Sequence, residues 1–182
     1  LNKYKYHIGP VAFTKNYDTA YFTVTNPDRP REKKMKGWPV YGTRRLMIFY
    51  AINKNGAWQK AKPFAYNRAD SFSVGHVALN PEGNVLYFAS DMPGGQGKTD
   101  IWYCEKQPDS TWGAPRNCGP VINTAEQDEF PTVSEDNTFY FGSKGHAGMG
   151  GFDIFEADGE RDQWTAPANL RVARNSPADD FY

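Results

Sequence analysis

Apolar positions in this chain come in short runs, each about the length of one strand, cut at regular intervals by polar turn residues. Val77-Ala-Leu-Asn-Pro-Glu-Gly-Asn-Val-Leu-Tyr-Phe-Ala-Ser-Asp91 shows the pattern: an apolar run, a turn rich in Asn, Pro and Gly, then a second apolar run. Such a segment predicts two antiparallel strands joined at a tight tip. The same arrangement returns in Val11-Ala-Phe-Thr-Lys-Asn-Tyr-Asp-Thr-Ala-Tyr-Phe-Thr23 and in Thr132-Val-Ser-Glu-Asp-Asn-Thr-Phe-Tyr-Phe-Gly-Ser143. Each second strand carries a Tyr-Phe pair, at Tyr21-Phe22, Tyr87-Phe88 and Tyr140-Phe141. No stretch sustains the 3.6-residue period with caps, so helix content should be very low.

A second set of matches follows each hairpin. Asp100-Ile-Trp-Tyr103 corresponds to Asp153-Ile-Phe155 and, more loosely, to Leu46-Met-Ile-Phe-Tyr50. Each is trailed by a turn and a tryptophan (Trp58, Trp112, Trp164), then by Pro63, Pro115 or Pro167. An acidic-aromatic triplet closes the unit as Asp128-Glu129-Phe130 and Asp179-Asp180-Phe181, with Asp70-Ser71-Phe72 as a weaker version. The period is about 52–54 residues where nothing is inserted.

Four short strands per repeat, with an aromatic at a fixed place in each, is the blade signature of a β-propeller. The expected fold is therefore all-β, with three four-stranded antiparallel blades at about 9–72, 73–130 and 131–182. Propellers close with roughly four to eight blades. Three would leave open edges, so an intact propeller of about five to seven blades is expected, completed by further sequence or by a partner. The recurring Trp and Tyr-Phe read as packing between blades.

Charge narrows the function without naming it. The formal net charge is zero, but residues 1–60 hold 12 Lys/Arg against 3 Asp/Glu, and residues 121–182 hold 4 against 12. A nucleic-acid binder would present a basic face without that compensation, so nucleic acid is not an expected partner. No apolar run reaches the roughly 20 residues that span a bilayer. Cys104 and Cys118 are too few for a disulfide scaffold; two half-buried thiols and one disulfide both fit them.

These repeats resemble the TolB-like propeller repeats of outer-membrane proteins from Bacteroidetes. The matching stretches are Gly9-Pro-Val-Ala-Phe13, Ser73-Val-Gly-His-Val-Ala-Leu79, Leu86-Tyr-Phe-Ala-Ser-Asp-Met-Pro-Gly-Gly95, Thr99-Asp-Ile101, Gly119-Pro-Val-Ile-Asn-Thr124 and Gly145-His-Ala-Gly-Met-Gly-Gly-Phe-Asp-Ile-Phe155. In that family the propeller commonly precedes an OmpA-type peptidoglycan-binding domain, and within it the chain resembles PorE-like components of type IX secretion and gliding. The resemblance implies a periplasmic, outer-membrane-associated protein with protein partners in the periplasm or outer membrane. Peptidoglycan would be held only through the OmpA-type domain, which these residues do not contain.

Candidate sites are few. The glycine-rich segments 91–100 and 144–153 join second to third strands, where glycine permits close backbone approach and Asp91, Asp100 and Asp153 can accept from loop amides. The same oxygens suit calcium, but the acid density of a calcium loop is missing, and no metal or cofactor is expected. In the first repeat that loop is replaced by a basic insertion, residues 28–45. Its Arg29, Arg31, Lys33, Lys34, Lys36, Arg44 and Arg45, with Trp38 and Tyr41, form the candidate partner-binding set, fit for an acidic protein, an anionic glycan or lipopolysaccharide phosphates. A solvated surface loop would have the same composition. His7, His76 and His146 lie in different repeats at non-equivalent positions, and no nucleophile elbow, zinc spacing or phosphate loop is present. The expectation is a protein that is not an enzyme; a glycan-binding module and the non-catalytic part of a propeller hydrolase are the alternatives.

Overall fold

Residues 8–26, 33–35, 38–40 and 44–181 are described by a computed structural model. The chain forms three antiparallel sheets in succession. In the first, β1 (Ile8–Phe13), β2 (Thr19–Thr25) and β5 (Leu46–Lys54) pair in order, with β6 (Ala57–Trp58) and β7 (Lys62–Pro63) both on β5. Between β2 and β5 a separate ribbon, β3 (Lys33–Met35) with β4 (Trp38–Val40), occupies the insertion. The second sheet runs β8 (Val74–Leu79), β9 (Val85–Ser90), β10 (Asp100–Glu105) and β11 (Arg116–Asn117). The third runs β12 (Asp128–Val133), β13 (Phe139–Ser143) and β14 (Asp153–Ala157), then a small ribbon of β15 (Gly159–Glu160) and β16 (Gln163–Trp164), and ends on β17 (Ala168–Asn169). The one helical element among the described residues is a 3₁₀ turn, Arg171–Ala173. This is the blade meander of a β-propeller, three blades long.

Local chemistry sets the hairpin tips. Thr14, Asn80 and Ser134 occupy one turn position, and each accepts a backbone bond from the residue three ahead, Tyr17, Gly83 or Asn137 (2.8–3.0 Å). Those three residues take φ of 54°, 68° and 68°. The left-handed region costs least for Gly and Asn. The Asn80 side chain strengthens its turn by accepting from the amides of Asn84 (3.0 Å) and Val85 (2.9 Å).

Alternation along the strands then builds two interblade cores. Leu86, Phe88, Trp102 and Cys104 face the first blade and meet Tyr21, Ile48 and Phe64. Their neighbours Val85, Tyr87, Ile101 and Tyr103 face the third blade and meet Phe139, Phe141, Phe155 and Ala157. The middle blade is covered on both sides, so all six residues of β9 are buried. Each such fully buried large side chain contributes about 1.5–3 kcal/mol of transfer free energy.

The innermost strand of the middle blade, β8, packs against both β1 and β12. All three inner strands are bulged, between Ile8/Val11, Gly75/Ala78 and Glu129/Thr132. At the last two bulges His76 and Phe130 take φ of 50° and 56°. One feature departs from the sequence expectation: Asp128-Glu129-Phe130 does not end the second sheet but opens the third as the first half of β12. Pairing sets Asp128 against Ser143 and Glu129 against Gly142, a relation across a hairpin that the local pattern of a polar-aromatic triplet cannot display.

Candidate functional site

The loops joining second to third strands and the linkers joining one blade to the next meet along one rim of the molecule. An asparagine in each linker organises it. Asn67 Oδ1 accepts from the Ile48 amide (3.0 Å) while its Nδ2 donates to the Ile48 carbonyl (2.7 Å). Asn123 does the same to Ile101 (2.7 and 2.9 Å), and Asn175 to Ile154 (2.8 and 2.9 Å). Asn123 and Asn175 also donate to Asn117 and Asn169 of the outer strands, each at 2.9 Å. A carboxamide carries donor and acceptor side by side, so it mimics a neighbouring strand where the two-residue outer strands run out. Sequence reasoning missed this clamp; its trace is the Asn-Thr and Asn-Ser pairs at 123–124 and 175–176.

Five residues past each of the last two clamps an aspartate closes the linker on itself. Asp128 Oδ2 accepts from the Thr124 amide (2.6 Å) and hydroxyl (2.9 Å). Asp180 takes the Ser176 amide (2.5 Å) and hydroxyl (3.0 Å). The glycine-rich loops lie flat on these linkers. A Cβ on Gly97 would sit 2.3 Å from the Thr124 carbonyl oxygen, and one on Gly150 would sit 2.4 Å from the Pro177 carbonyl carbon. Glycine is required there by close backbone approach.

The three sequence-predicted acidic residues sit apart, each with its own partners. Asp100 accepts from the amides of Gln96 and Gly97 in its loop and from Asn117 Nδ2. Asp153 accepts from Met149 (2.7 Å) and Gly150 (3.2 Å). Asp91 accepts from the Ser73 amide (2.5 Å) and pairs with Arg45 at 3.2 Å. Among the described residues no group of three or more His, Cys, Asp or Glu side chains could hold a metal ion. Of the basic insertion, Arg29, Arg31, Lys36 and Tyr41 lie outside the described residues, as does His7. Lys33, Lys34 and Trp38 are placed only as members of the β3–β4 ribbon. Arg45 ties the end of the insertion to the rim of the second blade.

Below that rim a recess of about 140 Å³ is lined by Leu46, Ser73, His76, Ser90, Thr99 and Glu129. His76 Nδ1 stands 3.4 Å from Glu129 Oε2, and its ring stacks on Phe130 at 4.3 Å, which in turn stacks on Phe181 at 4.9 Å. Burial pushes the imidazole down to about 4. Burial also raises the Glu129 and Asp128 carboxyls. The pair is thus a desolvated contact between blades, with a neutral imidazole at pH 7. His146 is occupied elsewhere, its Nε2 lying 2.9 Å from the Ile122 carbonyl. Cys104 and Cys118 are free and fully buried, one in each interblade core, so no disulfide joins them.

No protein-family model matches the sequence, and no curated protein does. Solved structures do resemble the fold. A puromycin-hydrolyzing peptidase of Mycobacterium tuberculosis aligns at 15% identity and a TM-score of 0.53, over 93% of this chain and 24% of that one. Prolyl oligopeptidase B of Galerina marginata, bound to a 35mer hydrolysis and macrocyclization substrate, aligns at 15% identity and a TM-score of 0.50, over 91% of this chain and 21% of that one. TolB of Acinetobacter baumannii aligns at 12% and 0.41, over 84% of this chain and 41% of that one. The chain therefore spans about a quarter or less of the length of the two peptidases. At these identities the likeness to the two peptidases speaks for the fold alone. Together with the three blade meanders, it makes this chain a β-propeller module.

Proposed function

We propose that this module is a non-enzymatic docking scaffold of a periplasmic, outer-membrane-associated protein, in the setting of type IX secretion or gliding that the sequence resemblance implies. One observation carries the reading. The side chains that recur from blade to blade (the clamp asparagines, the linker aspartates, the loop aspartates, and the tryptophans Trp112 and Trp164) are engaged in holding loops, linkers and blades together. What remains to distinguish the protein is the segment that breaks the repeat, the basic insertion at 28–45, tethered to the rim through Arg45 and Asp91. On this reading the insertion engages an acidic protein partner. Peptidoglycan would be reached only through an OmpA-type domain elsewhere in a parent chain. Fold alone does not separate this scaffold from the propeller of a hydrolase, since propellers host unrelated activities.

The test is charge reversal of Arg29, Arg31, Lys33, Lys34 and Lys36 to glutamate, followed by affinity capture from a membrane-protein extract. The scaffold reading expects partner capture to fall away while the circular dichroism spectrum is unchanged. Undiminished capture by a folded variant refutes the basic insertion as the docking element.

A further inference from the structure

The two joints between blades close differently. Trp112, in the hairpin after the third strand of the second blade, donates from Nε1 to the hydroxyl of Tyr21 in the first blade at 3.1 Å. At the next joint the Tyr87 hydroxyl accepts instead from the Arg161 amide at 3.1 Å, and Trp164 turns its Nε1 to the Arg161 carbonyl at 2.8 Å. The Trp164 ring then lies 4.6 Å from that of Phe139 and 6.1 Å from that of Tyr87. With its N–H engaged, the half-buried indole offers its ring to a pocket of about 360 Å³ between the second and third blades. Both walls of this pocket belong to adjoining blades, so neither is a surface left open at an end of the array.

Across from the rings the pocket is acidic and short of donors. Asn80, 4% exposed, holds its Nδ2 within hydrogen-bond distance of three oxygens: Glu82 Oε2 (3.0 Å), Asn84 Oδ1 (2.7 Å) and Glu160 Oε1 (2.9 Å). A carboxamide nitrogen carries two hydrogens, so one of the three oxygens is left without a proton. Two of them belong to carboxylates, one from each blade. The other oxygen of Glu160 pairs with Arg161, which is shared with Glu105 at 2.6 Å. The surroundings have the same sign. The three turns that frame the pocket, 80–84, 133–139 and 158–164, carry Glu82, Glu135, Asp136, Asp158, Glu160 and Asp162 against Arg161 alone.

We infer that this pocket binds an arginine side chain of a partner peptide. A guanidinium brings positive charge and several N–H donors in one plane, which answers an excess of oxygen acceptors beside an aromatic ring. It donates to Glu82 and Glu160 while its plane lies along the Trp164 ring. The volume is at the small end of the roughly 300–1,000 Å³ of ligand pockets, enough for one side chain and a little flanking backbone. Lysine brings a compact, strongly hydrated head with no plane to stack, and so fits less well. The site is separate from the basic insertion, which is tethered at the opposite rim through Arg45 and calls for an acidic partner.

Titration of the isotope-labelled 182-residue chain with N-acetyl-arginine amide, followed by NMR at constant ionic strength, tests this. The Trp164 indole and the Asn80 and Asn84 carboxamide signals should move together, with a dissociation constant of about 1–10 mM. The Trp112 indole, at the equivalent place in the blade before, should stay where it is. The citrulline analogue, which keeps the shape and loses the charge, should bind at least about 10-fold more weakly. The lysine analogue should fall between the two. Glu82→Gln changes an exposed turn residue, so the spectrum of the free protein should be preserved elsewhere while binding weakens by about 3-fold to 10-fold. Adding Glu160→Gln should weaken it further. A Trp164 signal that does not move up to about 50 mM ligand overturns the inference. So does a citrulline or lysine analogue that binds as tightly as arginine, or binding that Glu82→Gln and the double variant leave unchanged.

Discussion

Replacing Asn123 with alanine should destabilise the domain more than any conservative change on its surface. Asn123 is 2% exposed and its side chain makes three hydrogen bonds, two to the backbone of Ile101 and one to Asn117. The Ile101 carbonyl keeps a second donor, the Cys118 amide at 3.1 Å, but its amide has no other acceptor shown on that side of β10. The variant therefore loses the net value of its bonds, about 1 kcal/mol each, and strands a buried N–H at about 1–3 kcal/mol. A loss of roughly 4–6 kcal/mol follows, or about 8–24 °C in melting temperature for a domain of this size. Asn67→Ala removes the same two backbone bonds at a half-buried site, where water can replace the amide, so its cost should be smaller. Asn123→Asp should be no better than alanine, because it keeps the acceptor but sets a buried carboxylate against two oxygen acceptors. Urea unfolding followed by tryptophan fluorescence, at one fixed protein concentration, measures all three. An Asn123→Ala variant within about 0.5 kcal/mol of the parent, the scatter of surface substitutions, would sink the clamp as a structural device. So would Asn67→Ala costing more than Asn123→Ala.

Two further outcomes follow from buried titratable groups. The folded protein keeps His76 neutral down to about 4, whereas the unfolded chain binds that proton near 6.5. Stability is therefore complete above about 6.5 and falls as pH drops toward 4, by at most about 3 kcal/mol. The raised Glu129 carboxyl returns part of this at the acid end, since the folded state takes up its proton early. His76→Phe, which copies the residue at the same bulge in the third blade, should flatten the decline in urea midpoint between pH 6.5 and 4.5; an unchanged slope refutes the assignment. Burial also pushes the Cys104 thiol up to about 12 and the Cys118 thiol well above its usual value. The native protein should leave both unreactive toward a chromogenic disulfide reagent at pH 8, and urea should release two equivalents. Release of fewer than two in urea without reductant would reveal an oxidised pair.

Much of the fold was legible because its information is local. Turn residues, period-two alternation and the Tyr-Phe and Trp markers recur at a fixed interval, and each acts within about ten residues of itself. The glycine-rich loops were legible in kind, as places of close backbone approach, but the thing approached, the next linker, was not. The clamp asparagines went unread because Asn is common in any turn, and the bonds from Asn123 to Ile101 span 22 positions. Alternation likewise says that Cys104 and its neighbour Tyr103 face opposite ways, but not which core each enters. That Cys104 and Cys118 enter different cores is decided only when the blades pack on either side of the middle sheet.

Strands, turns, blade period and the split of charge along the chain are thus properties of the sequence by itself, since steric and solvation preferences of neighbouring residues suffice to produce them. Tertiary packing alone decided that the acidic triplet at 128–130 belongs to the third sheet, that Trp112 and Trp164 find tyrosines in the preceding blade, and that Trp58 lies open. The physical reason is the same in each case. A hydrogen bond or an apolar contact between blades depends on which surfaces meet, and identical repeat residues acquire different surroundings according to whether another blade covers them.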